Sequence, residues 1–211
     1  MGTLLTFEPP APRLRGALLA STGVDVGEPA AARAIRAEIA YYRAHLGTGG
    51  DDAGLAALRR ASAEAMRPEL DGLPIDGEQL TAALLESLRF HAFPEVPGAL
   101  REMRSAGLRL VVVSNWDVSL HERLAETGLA PLVDGAVASA EVGFAKPAPE
   151  IFARGLAIAG VEAAEAVHVG DSEVEDVQGA RAAGLRAVLL ARDGGGEISS
   201  LDQLRSYSSL W

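Results

Sequence analysis

Cysteine is absent from all 211 residues. That excludes disulfide frameworks, thiolate zinc sites and cysteine nucleophiles. No run approaches the ~18 apolar residues that a membrane-spanning helix needs. The first residues have neither the basic start nor the apolar core of a secretory leader, so the cytoplasm is the expected compartment. Positive charge is also in short supply. Lys and Arg number 19 against 29 Asp and Glu, a net charge of −10. Such a balance argues against nucleic acid as a partner, which needs a basic face, and against docking on an anionic membrane. An anionic small molecule stays compatible, because a local field can oppose the global charge. No internal repeat is found.

What is present reads as an ordinary soluble chain, 48% hydrophobic and 23% charged. The length suits one full α/β core plus a smaller appended domain. Met1-Gly2-Thr3-Leu4-Leu5 looks like the end of an element rather than its beginning, and Pro9-Pro10-Ala11-Pro12 reads as a rigid connector. From 13 to 93 the pattern is helical. Ile35, Ile39 and Tyr42 share one helix face, with Pro29 at its first turn. Leu55 and Leu58 mark a second helix, and Leu80, Leu84, Leu85 and Leu88 a third that starts near Asp76 or Gly77. Breaks fall at 47–52 and 71–74.

Beyond Pro94 the period changes. Strands are expected at 108–113, 135–140, 167–169 and 187–191, and helices at 95–106, 121–127, 149–160 and 176–183, with a short last helix at 201–204. Alternation of this kind implies a parallel, Rossmann-like sheet. The expected organisation is a core of residues 1–12 and 94–211 and a helical domain of residues 13–93. The segment Tyr207 to Trp211 reads either as a packing tail or as a contact, and the oligomeric state is not legible.

Ligands of open α/β sheets gather outside the carboxyl ends of the strands. Three segments map there. In Val167-His168-Val169-Gly170-Asp171-Ser172, a buried strand passes into a turn, and Asp176 follows; two converging carboxylates suit a hard cation. In Val113-Ser114-Asn115, a strand ends in a hydroxyl and an amide, which either hold a phosphate oxygen or cap the next helix. Lys146 precedes Pro147; it pins an anion, balances clustered carboxylates or is a solvated surface lysine. His168 reads as a hydrogen-bonded strand residue rather than a general base, and Trp116 and Phe144 as packing or pocket lining. Each signal is weak singly. Taken in order, hydroxyl, ammonium and two carboxylates at one sheet edge suit phosphoryl chemistry.

These segments resemble the haloacid dehalogenase superfamily of hydrolases, in its helical-cap branch (subfamily IA-like), over nearly the whole chain. Ser114-Asn115 resembles the second motif of that family, Lys146-Pro147 the third, Gly170-Asp171-Ser172 with Asp176 the fourth, and Gly2-Thr3-Leu4 the tail of the first, Asp-x-Asp-Gly-Thr-Leu. The resemblance implies attack of an aspartate on phosphorus and hydrolysis of the aspartyl-phosphate. Ser114, Asn115, Gly2 and Thr3 would bind the phosphate of a small phosphorylated metabolite. Lys146 would be catalytic, orienting the nucleophile and offsetting charge. Asp171 would ligate Mg²⁺, Asp176 would complete or orient that site, and a helical cap at 13–93 would select the substrate.

In this register the nucleophilic aspartate falls just ahead of Met1, with the first core strand, and Met1 takes the place of the second aspartate. A true start upstream is therefore expected, and the chain from Met1 is expected to be inactive by itself. The alternatives are a 2-haloacid dehalogenase-like hydrolase and a non-catalytic binding relative.

Overall fold

The computed structural model describes residues 2–206, with the side chains of Arg205 and Ser206 left out. The expectations on Met1 and on Tyr207 to Trp211 lie outside the described residues. Contacts divide the chain into two compact units, residues 7–90 and residues 1–6 with 91–211. The two crossings between them fall in β1 (Leu5–Phe7) and β2 (Phe90–Ala92), which form a two-stranded ladder.

The first of these units is four helices: α1 (Pro10–Thr22), α2 (Glu28–His45), α3 (Asp52–Met66) and α4 (Gly77–Ser87). The expected proline connector is instead the first turn of α1. Proline is at home there, because its missing N–H would have no intrahelical acceptor and its fixed φ is already helical. Asp76 starts α4 by a capping box: its carboxylate accepts from the Gln79 amide N–H, and the Gln79 side chain accepts from the Asp76 N–H. Leu14 and Leu18 of α1, Ile35 of α2, Met66 of α3 and Leu80 and Leu84 of α4 close one apolar core. Leu88 packs against it, whereas Leu85 is exposed, because one residue turns a helix by ~100° and carries Leu85 off the face of Leu84.

Glu38 of α2 is only 6% exposed, and burial pushes its carboxyl up to about 7. A raised folded value means that the folded state favours the neutral acid. Its contribution is therefore intact below the unfolded value of ~4.3 and is lost as pH rises through about 7. Glu38→Gln is expected to leave stability unchanged at pH 4 and to raise it by ~3 kcal/mol at pH 8, read from urea midpoints. Equal midpoint shifts at both pH values would contradict this origin.

The other unit contains α5 (Val96–Ser105), β3 (Val111–Ser114), α6 (Leu120–Glu126), β4 (Gly135–Ala138), α7 (Ser139–Val142), α8 (Pro149–Ala159), β5 (Val167–Gly170), a π-helical turn (Glu173–Gln178), α9 (Gly179–Ala182) and β6 (Arg186–Leu189). It is an α/β, Rossmann-like arrangement. β3 pairs with β4 in parallel, Val111 opposite Gly135 and Ser114 opposite Ala138. β5 pairs with β6 in parallel, Val167 opposite Arg186 and Gly170 opposite Leu189. Ile151 and Phe152 of α8, Val177, Ala180, Val137 and Ala187 are buried in one cluster that both ladders share.

The apolar run at 167–169 predicts a buried strand. The structure differs: Val167 and Val169 are only half-buried, as are Val111, Val112 and Val113 of β3. The reason lies in the pairing. Among the described residues β3 bonds only to β4 and β5 only to β6, so each keeps an edge without a ladder partner. No helix among the described residues is long and apolar enough to cross a membrane.

Candidate functional site

The peptide after β3 ties two distant segments together. Asn115 Nδ2 donates to the Lys146 carbonyl at 3.0 Å, and the Lys146 N–H donates to Asn115 Oδ1 at 2.7 Å. Neither Ser114 nor Asn115 caps α6, whose N-cap residue is Ser119. Asn115 thus braces the backbone of Lys146, whose bond to Pro147 is cis. Trp116 is buried and its N–H donates to Ser139 Oγ at 3.1 Å, so the segments after β3 and β4 are joined; Phe144 lies on the surface.

Lys146 is not a solvated lysine. Its side chain is 10% exposed, and Nζ donates to the Val113 carbonyl at 3.0 Å and to Asp176 Oδ1 at 2.5 Å. An ammonium has three donors. Two are committed here, which leaves one for a ligand. Ser114 lies between Val113 and Asn115, both bonded to Lys146, so the residue sits at the same strand end.

Asp176 is the hub of the site. Oδ1 accepts from Lys146 and lies 2.8 Å from His168 Nε2, and Oδ2 accepts from the Ser172 N–H at 2.9 Å. His168 also meets the Phe152 ring edge-on, which agrees with a hydrogen-bonded strand residue. Burial favours the neutral carboxyl of Asp176, but the His168 bond and the charge and hydrogen bond of Lys146 outweigh it and hold the group well below the usual carboxylate range. Gly170 is what lets the carboxylate in. A Cβ there would stand 2.1 Å from Asp176 Cγ. Gly170→Ala is therefore expected to displace Asp176, to lower stability by ~1–3 kcal/mol and to release Lys146; wild-type thermal unfolding would show the glycine to be incidental.

The first and fourth segments also meet. Thr3 Oγ1 donates to Asp171 Oδ1 at 2.6 Å. Gly2 has φ +103°, and a Cβ on it would lie 2.5 Å from Asp171 Oδ2, so both backbone conformation and space require glycine. Asp171 is exposed, one residue after β5.

Sequence reading missed Arg192. It follows β6 by three residues and donates to the carbonyls of Gly2 and Thr3, each at 2.7 Å. Nothing local in an isolated arginine announces partners some 190 positions away.

The paired-carboxylate spacing suits a cation, and the geometry divides the pair. Both oxygens of Asp176 already accept hydrogen bonds, so the position orients its neighbours. Asp171 fits the remaining role, since Mg²⁺ keeps several waters and takes one or two carboxylates together with substrate phosphate. Among the described residues no cluster of three or more His, Asp or Glu forms a complete cage.

Comparison with known proteins agrees with this architecture. The sequence profile of haloacid dehalogenase-like hydrolases matches residues 2–184. A phosphoserine phosphatase of Thermus thermophilus is 39% identical over 126 residues, 59% of this chain and 51% of that protein. The match thus spans about half the length of this curated relative. A HAD phosphatase structure from Thermococcus onnurineus superposes with a TM-score of 0.66 at 26% identity, covering 98% of this chain and 93% of that one. A 2-haloacid dehalogenase from Pseudomonas syringae gives 0.63 at 25% identity, covering 99% and 95%. With four motif segments gathered in one unit and the profile covering most of the chain, the protein belongs to the haloacid dehalogenase-like hydrolases.

Proposed function

We propose that this chain serves the hydrolysis of a small phosphorylated metabolite through an aspartyl-phosphate, with Mg²⁺ as its ion. The observation that carries the reading is the desolvated ammonium of Lys146, fixed by Val113 and Asp176 with one donor to spare at a strand end. That donor binds a phosphate oxygen and offsets the charge that develops on it. The Ser114 hydroxyl donates to a second oxygen. Asn115 fixes the Lys146 backbone, and Asp176 keeps the ammonium in place. Asp171 is the residue that would hold Mg²⁺, with Thr3 orienting its carboxylate. Bound there, the ion would neutralise phosphoryl charge. The attacking carboxylate is assigned to none of the described residues. A relative named phosphoserine phosphatase supports phosphate as the substrate group.

The test is release of inorganic phosphate from p-nitrophenyl phosphate and a panel of phosphorylated metabolites, with Mg²⁺ and with EDTA. It is run on the chain from Met1 and on the protein with any in-frame residues ahead of it. Mg²⁺-dependent release is expected of the second and not of the first. Silence across the panel, or halide release from 2-haloacids without metal, would replace this reading with a binding role or a dehalogenase.

A further inference from the structure

Arg192 stands outside all four motif segments, yet it makes more polar contacts to the chain's first residues than any motif residue does. Its Nε donates to the Gly2 carbonyl and its Nη2 to the Thr3 carbonyl, both at 2.7 Å. Nη1 donates to Glu95 Oε1 at 2.8 Å, and the guanidinium carbon sits 3.3 Å from the centroid of the Phe93 ring. The side chains of Arg192 and Glu95 are 23% and 16% exposed, so the pair is largely shielded from water. Each part of the group is in use: one edge of the fork takes two successive carbonyls, the far nitrogen meets a carboxylate and the flat face covers an aromatic ring. Only a planar guanidinium can do this. Lysine offers a point charge and no face.

The segment held this way has few other anchors. Gly2 N–H donates to the Leu5 carbonyl, and Thr3 Oγ1 donates to Asp171. Gly2 at φ +103° is a backbone with unusual freedom in the unfolded chain, so an external clamp is what selects this conformation. We propose that Arg192 is a positioning residue of the site: by clamping the carbonyls of Gly2 and Thr3 it sets the Thr3 hydroxyl against Asp171, the carboxylate to which the phosphatase reading gives the ion. The inference rests on that reading for its consequence in catalysis, while the clamp itself can be read without turnover.

The experiment compares wild type, Arg192→Ala and Arg192→Lys, each carrying any in-frame residues ahead of Met1. Backbone carbonyl ¹³C shifts of Gly2 and Thr3 and solvent exchange of the Thr3 and Leu4 amides report the clamp by NMR. Titrated inorganic phosphate with Mg²⁺, and kcat and KM for p-nitrophenyl phosphate, report its consequence. In Arg192→Ala the two carbonyl shifts move and local amide exchange speeds up at least tenfold, while amides of β3, β5 and α2 keep wild-type rates. The kcat falls by ~10–100-fold with KM within about threefold, the size expected of a misplaced group. Arg192→Lys restores neither the shifts nor kcat, and millimolar guanidinium ion partly restores both in Arg192→Ala. Unchanged carbonyl shifts, exchange rising equally through β3 and β5, or full recovery by lysine would each overturn the clamp. An inactive wild type with intact shift changes would sink the phosphatase reading and leave the clamp standing; altered shifts with wild-type kcat would reduce Arg192 to a structural staple.

Discussion

In the protein carrying any in-frame residues ahead of Met1, replacing Lys146 with methionine is expected to lower kcat for a phosphate ester by ~10²–10³-fold and to weaken inorganic phosphate binding in parallel, without dispersing the fold. The size follows from where the ammonium sits. It is 10% exposed and is aimed by Val113 and Asp176, so it meets an anion without prior reorganisation and with little water to screen it. Methionine keeps the unbranched stem as far as the ε position and removes the ammonium. Arginine is not expected to rescue, because Nζ fits between acceptors at 3.0 and 2.5 Å and a planar guanidinium is wider. Steady-state kinetics and phosphate titration check this. A kcat within threefold of wild type would remove Lys146 from the chemistry.

The second large effect is on stability. Asp176→Asn is expected to cost ~3–5 kcal/mol, the usual penalty for breaking a buried ion pair from one side. The variant leaves the Lys146 ammonium without its counter-charge and offers an NH₂ where Oδ1 or Oδ2 accepted. Lys146→Met breaks the same pair from the other side, so the double variant should cost less than the two single losses added. The pH dependence follows in sign. The folded value of Asp176 is depressed, so its contribution is fully present above the unfolded carboxylate value of ~3.9 and is lost as pH falls below it. Wild type should therefore lose urea resistance on going below pH 4 more steeply than Asp176→Asn. Parallel acid profiles would mean that the carboxylate is not ionised against Lys146.

Much of the site was legible because its parts are written as local contrasts. An apolar run ending in Ser114-Asn115, and another ending in Gly170-Asp171, mark strand ends where backbone and side-chain donors face solvent together. The Lys-Pro pair and the following Asp176 added charges at fixed order. What stayed hidden was the choice of partners. Asp176 and Asp171 look alike in sequence, yet Gly170 admits Asp176 into a buried hub with Lys146 and His168, while Asp171 stays exposed beside Thr3. Asn115 reads as a phosphate ligand or a cap and is found bracing the Lys146 backbone, because a side-chain amide pairs well with a peptide that approaches in the right plane. Arg192 was invisible for a related reason: its meaning lies in two carbonyls brought near by the fold. In the fold itself, Pro10 and Pro12 misled because proline punctuates chains and also starts helices. The half-burial of β3 and β5 was equally out of reach, since an apolar run gives the strand and not how many neighbours it will bond.

The central claim is that Ser114, Lys146 and Asp171 face one phosphate. The most direct measurement is a titration of ¹⁵N,¹³C-labelled protein with inorganic phosphate in the presence of Mg²⁺, followed by NMR, with Lys146→Met alongside. Saturable shifts are predicted at the Ser114 amide, the Lys146 ε-methylene and the Asp171 carboxylate, all with one dissociation constant that rises at least tenfold in Lys146→Met. Shifts at only one of the three, or a constant that Lys146→Met leaves unchanged, would contradict the account.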